Sequence, residues 1–231
     1  MFYLNSSYLM YMLPALLLMM LTQWYVNSSY KKYSQVAARS GLTGAQAASR
    51  LISSSGLFQV RVETVRGNLT DHYDPRSKTL RLSAGVAQSP SVAALAISAH
   101  ELGHAMQDAE NYFPLRLRAA LVPAVNIGSY LGWILIFIGL MLRMTDLAWL
   151  GVIVFAGGAV FALATLPVEL NASARAKQML TNSGMIISEE ERQGVNRVLN
   201  AAALTYVAGL VTAIMQLLYF VSLVGGSSRR R

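Results

Sequence analysis

The sequence predicts a mainly α membrane protein, with about four transmembrane helices and a small α+β domain on one side of the bilayer. Three observations carry that expectation. Of the 231 residues, 54% are hydrophobic and only 13% charged, against roughly 25% charged in an ordinary soluble domain. The apolar residues are gathered into runs of about the length a helix needs to cross a hydrocarbon core. Between those runs lie polar stretches that carry both helix and strand signals.

In chain order, residues 8–26 (YLMYMLPALLLMMLTQWYV) form an uncharged first run. No basic residue precedes it and no small-residue cleavage site follows, so it reads as a retained anchor rather than a signal peptide. Residues 27–123 form the first polar segment. Thr43 and Gln46 have the spacing of a capping box, opening a helix through about Ser54 that Gly56 closes. Phe58 to Val65 (FQVRVETV) and Lys78 to Leu82 (KTLRL) alternate apolar and polar residues, as half-buried strands do. Asp74-Pro75 makes a turn between them, and the strand at 78–82 offers an edge on which an extended substrate could pair. Ser89 or Ser91 caps a helix running to about Glu110. Residues 124–166 form a transmembrane hairpin of two runs, Ala124 to Leu142 and Leu147 to Leu166, joined by Arg143-Met144-Thr145-Asp146. In the second polar segment, 167–203, Ser188 to Glu191 is a further capping box with a solvated acidic helix start. Residues 204–224 form a last span.

Charge placement excludes one function class. The net charge is +8, yet the cations form no compact stripe with interleaved aromatics, as a nucleic-acid groove would require. Of nineteen Lys and Arg, eleven lie between Lys31 and Arg118 and four between Arg175 and Arg197. The positive-inside rule therefore places both polar segments in the cytoplasm and the N-terminus outside. Four spans then carry Arg229 to Arg231 outside, against the same rule. In either orientation the hairpin leaves 27–123 and 167–203 on one side, so a site can draw on both. The chain has no cysteine, hence no disulfide framework.

The stretch SAHELGHAMQ, residues 98–107, carries the chemistry. On a helix, His100 and His104 stand four residues apart on one face. Their imidazoles can converge on one zinc ion, and Glu101 lies close enough to take a proton from a zinc-activated water. Small apolar residues before the motif (ALAISA, 94–99) bury that helix, and Gly103 and Ala105 leave room for close packing. A catalytic zinc takes three protein ligands and keeps an open position. With no cysteine, the third ligand is sought among His72 and the acids. Asp108 and Glu110 share the motif's own helix, and Asp146 belongs to the opposite end of the hairpin. Glu169, directly after Leu166-Pro167-Val168 and followed by small residues in ELNASARA, is favoured over His72.

Several stretches together resemble the bacterial membrane-bound neutral zinc metallopeptidases of the YugP-like group. They are MLPALLL (12–18), GLTGAQAA (41–48), Asp71 to Arg76 with Arg81-Leu82-Ser83, AHELGHAMQ, LPVELNAS (166–173) and LNAAALTYVA (199–208). The resemblance covers nearly the whole chain. It implies a gluzincin-like zinc peptidase domain in which Glu169 joins His100 and His104 around one Zn2+ per chain. The layout is also similar to that of the membrane CAAX-processing and HtpX-like peptidases, where two spans separate the histidine motif from the glutamate helix. The related pattern reads E-F-D-A-S, whereas here Leu170 and Asn171 follow Glu169, leaving position 171 uncharged.

Around that centre, Ser173 can orient a ligand histidine. His72, Tyr73, Asp74 and Asn171 are candidates for supporting the ligands or the transition state. The resulting expectation is a zinc-dependent endopeptidase of the bacterial inner membrane with cytoplasmic catalytic segments. Its partners are the lipid bilayer and a peptide or protein substrate, membrane or juxtamembrane, with no nucleic acid. The alternative is a zinc-binding membrane scaffold without turnover, against which the intact Glu101 argues. A transporter is disfavoured because the spans hold almost no ionisable residues.

Overall fold

The structure, a computed structural model, describes residues 6–228. Arg229 to Arg231, on which the orientation conflict turns, lie outside the described residues. In chain order the elements are α1 (Ser6–Tyr33), α2 (Gly44–Ser54), β1 (Arg61–Val65), β2 (His72–Asp74) and β3 (Thr79–Ser83). They continue with α3 (Ala84–Ala87), α4 (Val92–Ala109), α5 (Phe113–Met141), α6 (Thr145–Asn182) and α7 (Glu189–Ser228). Four of them, α1, α5, α6 and α7, are long and apolar enough to cross a membrane. The chain divides into two compact units. One comprises residues 1–22, 116–167 and 205–231, the other 23–115 and 168–204.

The first unit holds most of the apolar length of those four helices. Within it, α5 and α6 approach backbone to backbone because small residues face each other. A Cβ on Gly139 would lie 2.4 Å from the Ala148 nitrogen, and one on Gly151 would lie 2.6 Å from the Ile136 nitrogen. Contacts this close suit helices in lipid, where van der Waals packing replaces the hydrophobic drive for association. Phe220 of α7 is buried between the rings of Trp133 and Phe155, at centroid distances of 5.2 and 4.9 Å. Both pairs meet edge to face, the arrangement that the ring quadrupoles favour.

The second unit packs α2, α3, α4 and a three-stranded sheet around one apolar core. Thr43 caps α2 as its spacing predicts: its Oγ1 accepts the Gln46 N–H at 3.3 Å, and Gln46 Oε1 accepts the Thr43 N–H at 3.0 Å. Gly56 follows with φ +70°, a left-handed turn that a side chain would strain. The strand expected at 58–65 begins only at Arg61. Residues 57–60 instead form a turn closed by the Val60 N–H on the Leu57 carbonyl, 2.9 Å. That turn sends Leu57 and Val60 into the core and leaves Phe58 78% exposed.

The sheet order is β1-β3-β2, with β1 parallel and β2 antiparallel to β3. The strand expected to offer a free edge is therefore the central one. Both sides of β3 are paired, and Leu80 and Leu82 are fully buried. Its side-chain alternation marks two faces and says nothing of whether the strand lies at an edge. Asp74 ends β2 and makes the turn at Pro75, accepting the Arg76 N–H at 2.9 Å and the Ser77 hydroxyl at 2.8 Å. Its ion pair with Arg81 holds the Asp74 carboxyl well below the usual carboxylate range.

Ser91 caps α4 by accepting the Ala94 N–H at 3.2 Å. The capping box at Ser188 is also formed, with the Glu191 N–H on Ser188 Oγ at 3.2 Å and the Ser188 N–H on the Glu191 carboxylate at 2.9 Å. Its acidic run is not a uniformly solvated helix start, however. Glu191 is buried and also accepts the Arg39 N–H at 2.7 Å, tying the segment before α2 to the start of α7. One buried hydroxyl on α4 is left without a hydrogen-bond partner, that of Ser98. Leaving such a group unmet in a core costs about 1–3 kcal/mol. Ser98→Ala is expected to stabilise the protein by about 1 kcal/mol, read as a raised melting temperature in detergent; a lowered one would show that the hydroxyl has a partner.

Candidate metal centre

The centre is built by α4 and α6. Ser91 starts α4, and the 3.6-residue period then sets His100 and His104 one turn apart. Their rings lie edge to face with centroids 5.0 Å apart. Both Nε2 atoms turn to the same carboxylate oxygen, Glu169 Oε2, at 3.3 Å from His100 and 3.4 Å from His104. One ligand atom from each of the three residues lies within 4.8 Å of the other two. Glu169 is 2% exposed, a position where a carboxylate requires a cation or proton donors around it.

These residues fit a zinc ion. Two imidazole nitrogens and one carboxylate oxygen, with no cysteine in the chain, make the His2Glu set of open catalytic zinc sites. Each histidine is also held from behind, at its other nitrogen. Ser173 Oγ lies 3.2 Å from His100 Nδ1, and Gln107 Oε1 lies 3.0 Å from His104 Nδ1. That leaves both Nε2 atoms aimed inward, as ligand histidines are oriented in metalloproteins. Burial works against a charged His104 ring, but the bond to Glu169 and the charge of Glu101 outweigh it and raise its pKa.

The two helices meet at this depth because Gly103 has no side chain. A Cβ there would stand 2.5 Å from the Ala172 carbonyl oxygen and 3.0 Å from its Cα. Both are backbone atoms of α6, which cannot swing aside as a flexible side chain would. Gly103→Ala is expected to cost about 1–3 kcal/mol as overpacking and to weaken zinc binding, because it pushes Glu169 away from the histidines. Equilibrium dialysis against zinc checks it, and an unchanged affinity would mean that the helix contact does not hold the ligands in register.

Glu101 lies on α4 between the two histidines in sequence. Its Oε2 accepts the Tyr73 backbone N–H of β2 at 3.2 Å. Burial pushes its pKa up, opposed by the His100 and His104 rings and reinforced by the Glu169 and Asp71 carboxylates. The sheet thus fixes the glutamate's position through a main-chain bond, which sequence inspection could not foresee.

The other residues singled out above are placed as follows. The Tyr73 hydroxyl donates to Asp108 Oδ2 at 2.8 Å, and Lys78 pairs with the same carboxylate. Burial and the Asp108 bond push the phenol pKa up, so Tyr73 stays protonated. The exposed His72 holds the Thr70 carbonyl through Nδ1 at 2.8 Å and is not among the clustered ligands. Asp74 is engaged with Arg81 and its own turn. Asn171 Oδ1 accepts from Gln107 Nε2 at 3.0 Å and from Arg175 Nε at 2.7 Å. Position 171 therefore works through an oxygen acceptor, which an amide supplies without charge. Gln107 was not singled out from the sequence. Its signal is a polar side chain three residues after His104, on the buried face of the same helix.

Comparisons with known proteins agree with this chemistry. Residues 8–225 match the protein family described as "Putative neutral zinc metallopeptidase". The chain is also 47% identical, over 199 residues, to a Bacillus subtilis (strain 168) protein named "Putative membrane protease YugP". That match covers 86% of this chain and 88% of the other. No solved structure is similar enough to count as a match.

Proposed function

Starting from the premise that this chain belongs to the neutral zinc metallopeptidase family, we propose that it is a membrane-embedded, zinc-dependent endopeptidase. The observation that carries this reading is the convergence of His100, His104 and Glu169 beside a half-buried Glu101. His100 and His104 through Nε2, and Glu169 through its carboxylate, would hold the ion in a gluzincin-like arrangement. Zinc bound there supplies a Lewis acid that polarises a carbonyl and lowers the pKa of water.

The rest of the work falls to the chain's own residues. Glu101 accepts a proton from the attacking water as the water oxygen bonds to the peptide carbonyl carbon. It then delivers that proton to the amide nitrogen as the C–N bond breaks. Burial disfavours the charged carboxylate and so strengthens it as a base. The Tyr73 N–H holds the carboxylate in position during both transfers. A scaffold that only stored zinc would have no use for a half-buried carboxylate held at position 101.

Glu169 follows the apolar run ending at Leu166 within three residues, which supports cleavage close to the bilayer surface. The substrates on this reading are membrane or juxtamembrane proteins. The charge distribution supports a bacterial plasma-membrane protein with its catalytic segments in the cytoplasm. The test is hydrolysis of a quenched-fluorescence peptide library and of a membrane-anchored reporter by the full chain in detergent, with products sized by mass spectrometry. Internal cuts that zinc restores after chelation support the reading. Zinc-loaded protein no more active than Glu101→Gln on every substrate would overturn it.

A further inference from the structure

Behind the two histidines the hydrogen bonding is asymmetric. A serine hydroxyl can donate or accept, so the contact of Ser173 with His100 leaves the tautomer of that ring open. Gln107 is different because its amide orientation is dictated from its far side. Its Nε2 lies 2.7 Å from the Val168 carbonyl oxygen and 3.0 Å from Asn171 Oδ1. A carbonyl can only accept, so the nitrogen must face it. Turning the amide over would set Oε1 against the Val168 oxygen in a fully buried position.

Asn171 is oriented in the same way. Arg175 Nε can only donate, so the oxygen of Asn171 must face it, at 2.7 Å. The guanidinium is itself anchored by both nitrogens Nη1 and Nη2 on Glu110, at 2.7 and 2.6 Å. Each donor therefore meets an acceptor, from a half-exposed carboxylate down to a buried amide oxygen. That oxygen, Gln107 Oε1, can only accept. The atom opposite it, His104 Nδ1, must then carry a hydrogen.

We propose that Gln107, seconded by Asn171 and Arg175, is a positioning residue that holds His104 as its Nδ1–H tautomer and so presents the Nε2 lone pair to zinc. The inference rests on the zinc reading above for its purpose, but not for its geometry. Val168 and Gln107 provide the main lock, and Asn171 with Arg175 a second one. The order of effect is accordingly Gln107, then Asn171, then Arg175. The chemistry at position 171 is acceptor chemistry. Asn171→Asp keeps an oxygen for both donors and preserves zinc affinity. Asn171→Leu strands the Gln107 N–H and the Arg175 Nε in a buried place and lowers it.

Two measurements on the full chain in detergent test this. The chain has three histidines, so 15N-histidine labelling yields three ring systems, assigned with His72→Ala and His104→Ala. In metal-free Glu169→Gln protein at alkaline pH, where no carboxylate draws a hydrogen onto Nε2, the His104 nitrogens are expected to report the Nδ1–H form, with or without Asn171→Asp. Gln107→Leu is expected to move the population toward Nε2–H. In competition titrations with a zinc-chelating dye, Gln107→Leu should weaken zinc binding about 10–100-fold, Asn171→Leu less, and Asn171→Asp by no more than a few-fold. A neutral Nε2–H ring at His104 in that Glu169→Gln background overturns the proposal, as does unchanged zinc affinity in both leucine variants. If Gln107→Leu does not fold, the contrast between Asn171→Leu and Asn171→Asp decides. If wild-type protein binds no zinc, the peptidase reading fails, and the metal-free tautomer still decides the relay.

Discussion

Glu101→Gln is expected to leave zinc binding close to that of the wild type and to lower peptide hydrolysis by about 10²–10⁴-fold, the usual contribution of a positioned general acid–base. The amide is isosteric with the carboxylate, and its oxygen can still accept the Tyr73 N–H that now bonds Glu101 Oε2 at 3.2 Å. The position in β2 and α4 is therefore kept, and what is lost is the capacity to take and return a proton. Steady-state hydrolysis measured beside zinc content separates these effects. If activity survives within about threefold, another group takes the proton and the role assigned to Glu101 in acid–base catalysis is wrong. If zinc is lost along with activity, Glu101 belongs to the ligand set instead.

The second large effect is expected at Glu169. Replacing it with Gln keeps the volume and removes the anion on which both histidines converge at 3.3 and 3.4 Å. Zinc content is expected to fall from about one per chain to a small residue, and activity with it. Stability gives an independent readout. A ligand present at about 100 times its dissociation constant stabilises the folded state by about 2.7 kcal/mol. Zinc should therefore raise the melting temperature of the wild type and leave that of Glu169→Gln almost unmoved. A variant that keeps full zinc and its thermal response would transfer the third ligand elsewhere, with His72 the first residue to test.

Local rules made much of the chain legible before any tertiary structure was considered. The four apolar helices follow from run length and the absence of charge. The caps at Thr43, Ser91 and Ser188 follow from short-range hydrogen bonding between neighbours in sequence. The pairing of His100 with His104 follows from helical period alone. Each of these depends on residues at most a few turns apart, where the chain has little freedom in how they meet.

What failed, or could not be read, has the opposite character. Alternation in KTLRL marks a strand, yet β3 inserts between two strands that both precede it in the chain, and pairing on both edges is a property of the sheet. Glu191 reads as one of three exposed acids until the Arg39 N–H, far away in sequence, is found on its carboxylate. Gln107 has only a faint local signal, its spacing from His104, because what orients it is Val168 and Asn171 on another helix. By itself the sequence determined a membrane protein carrying a paired-histidine helix with a glutamate beside the first ring. The tertiary structure decided that Glu169 meets both rings at one oxygen and that Gly103 lets the two helices approach that closely. It also decided that a buried amide faces His104. The first two are encounters between segments more than sixty residues apart in the chain, and the third depends on another, the Gln107 bond to Val168; no local periodicity records them, since only packing brings them together.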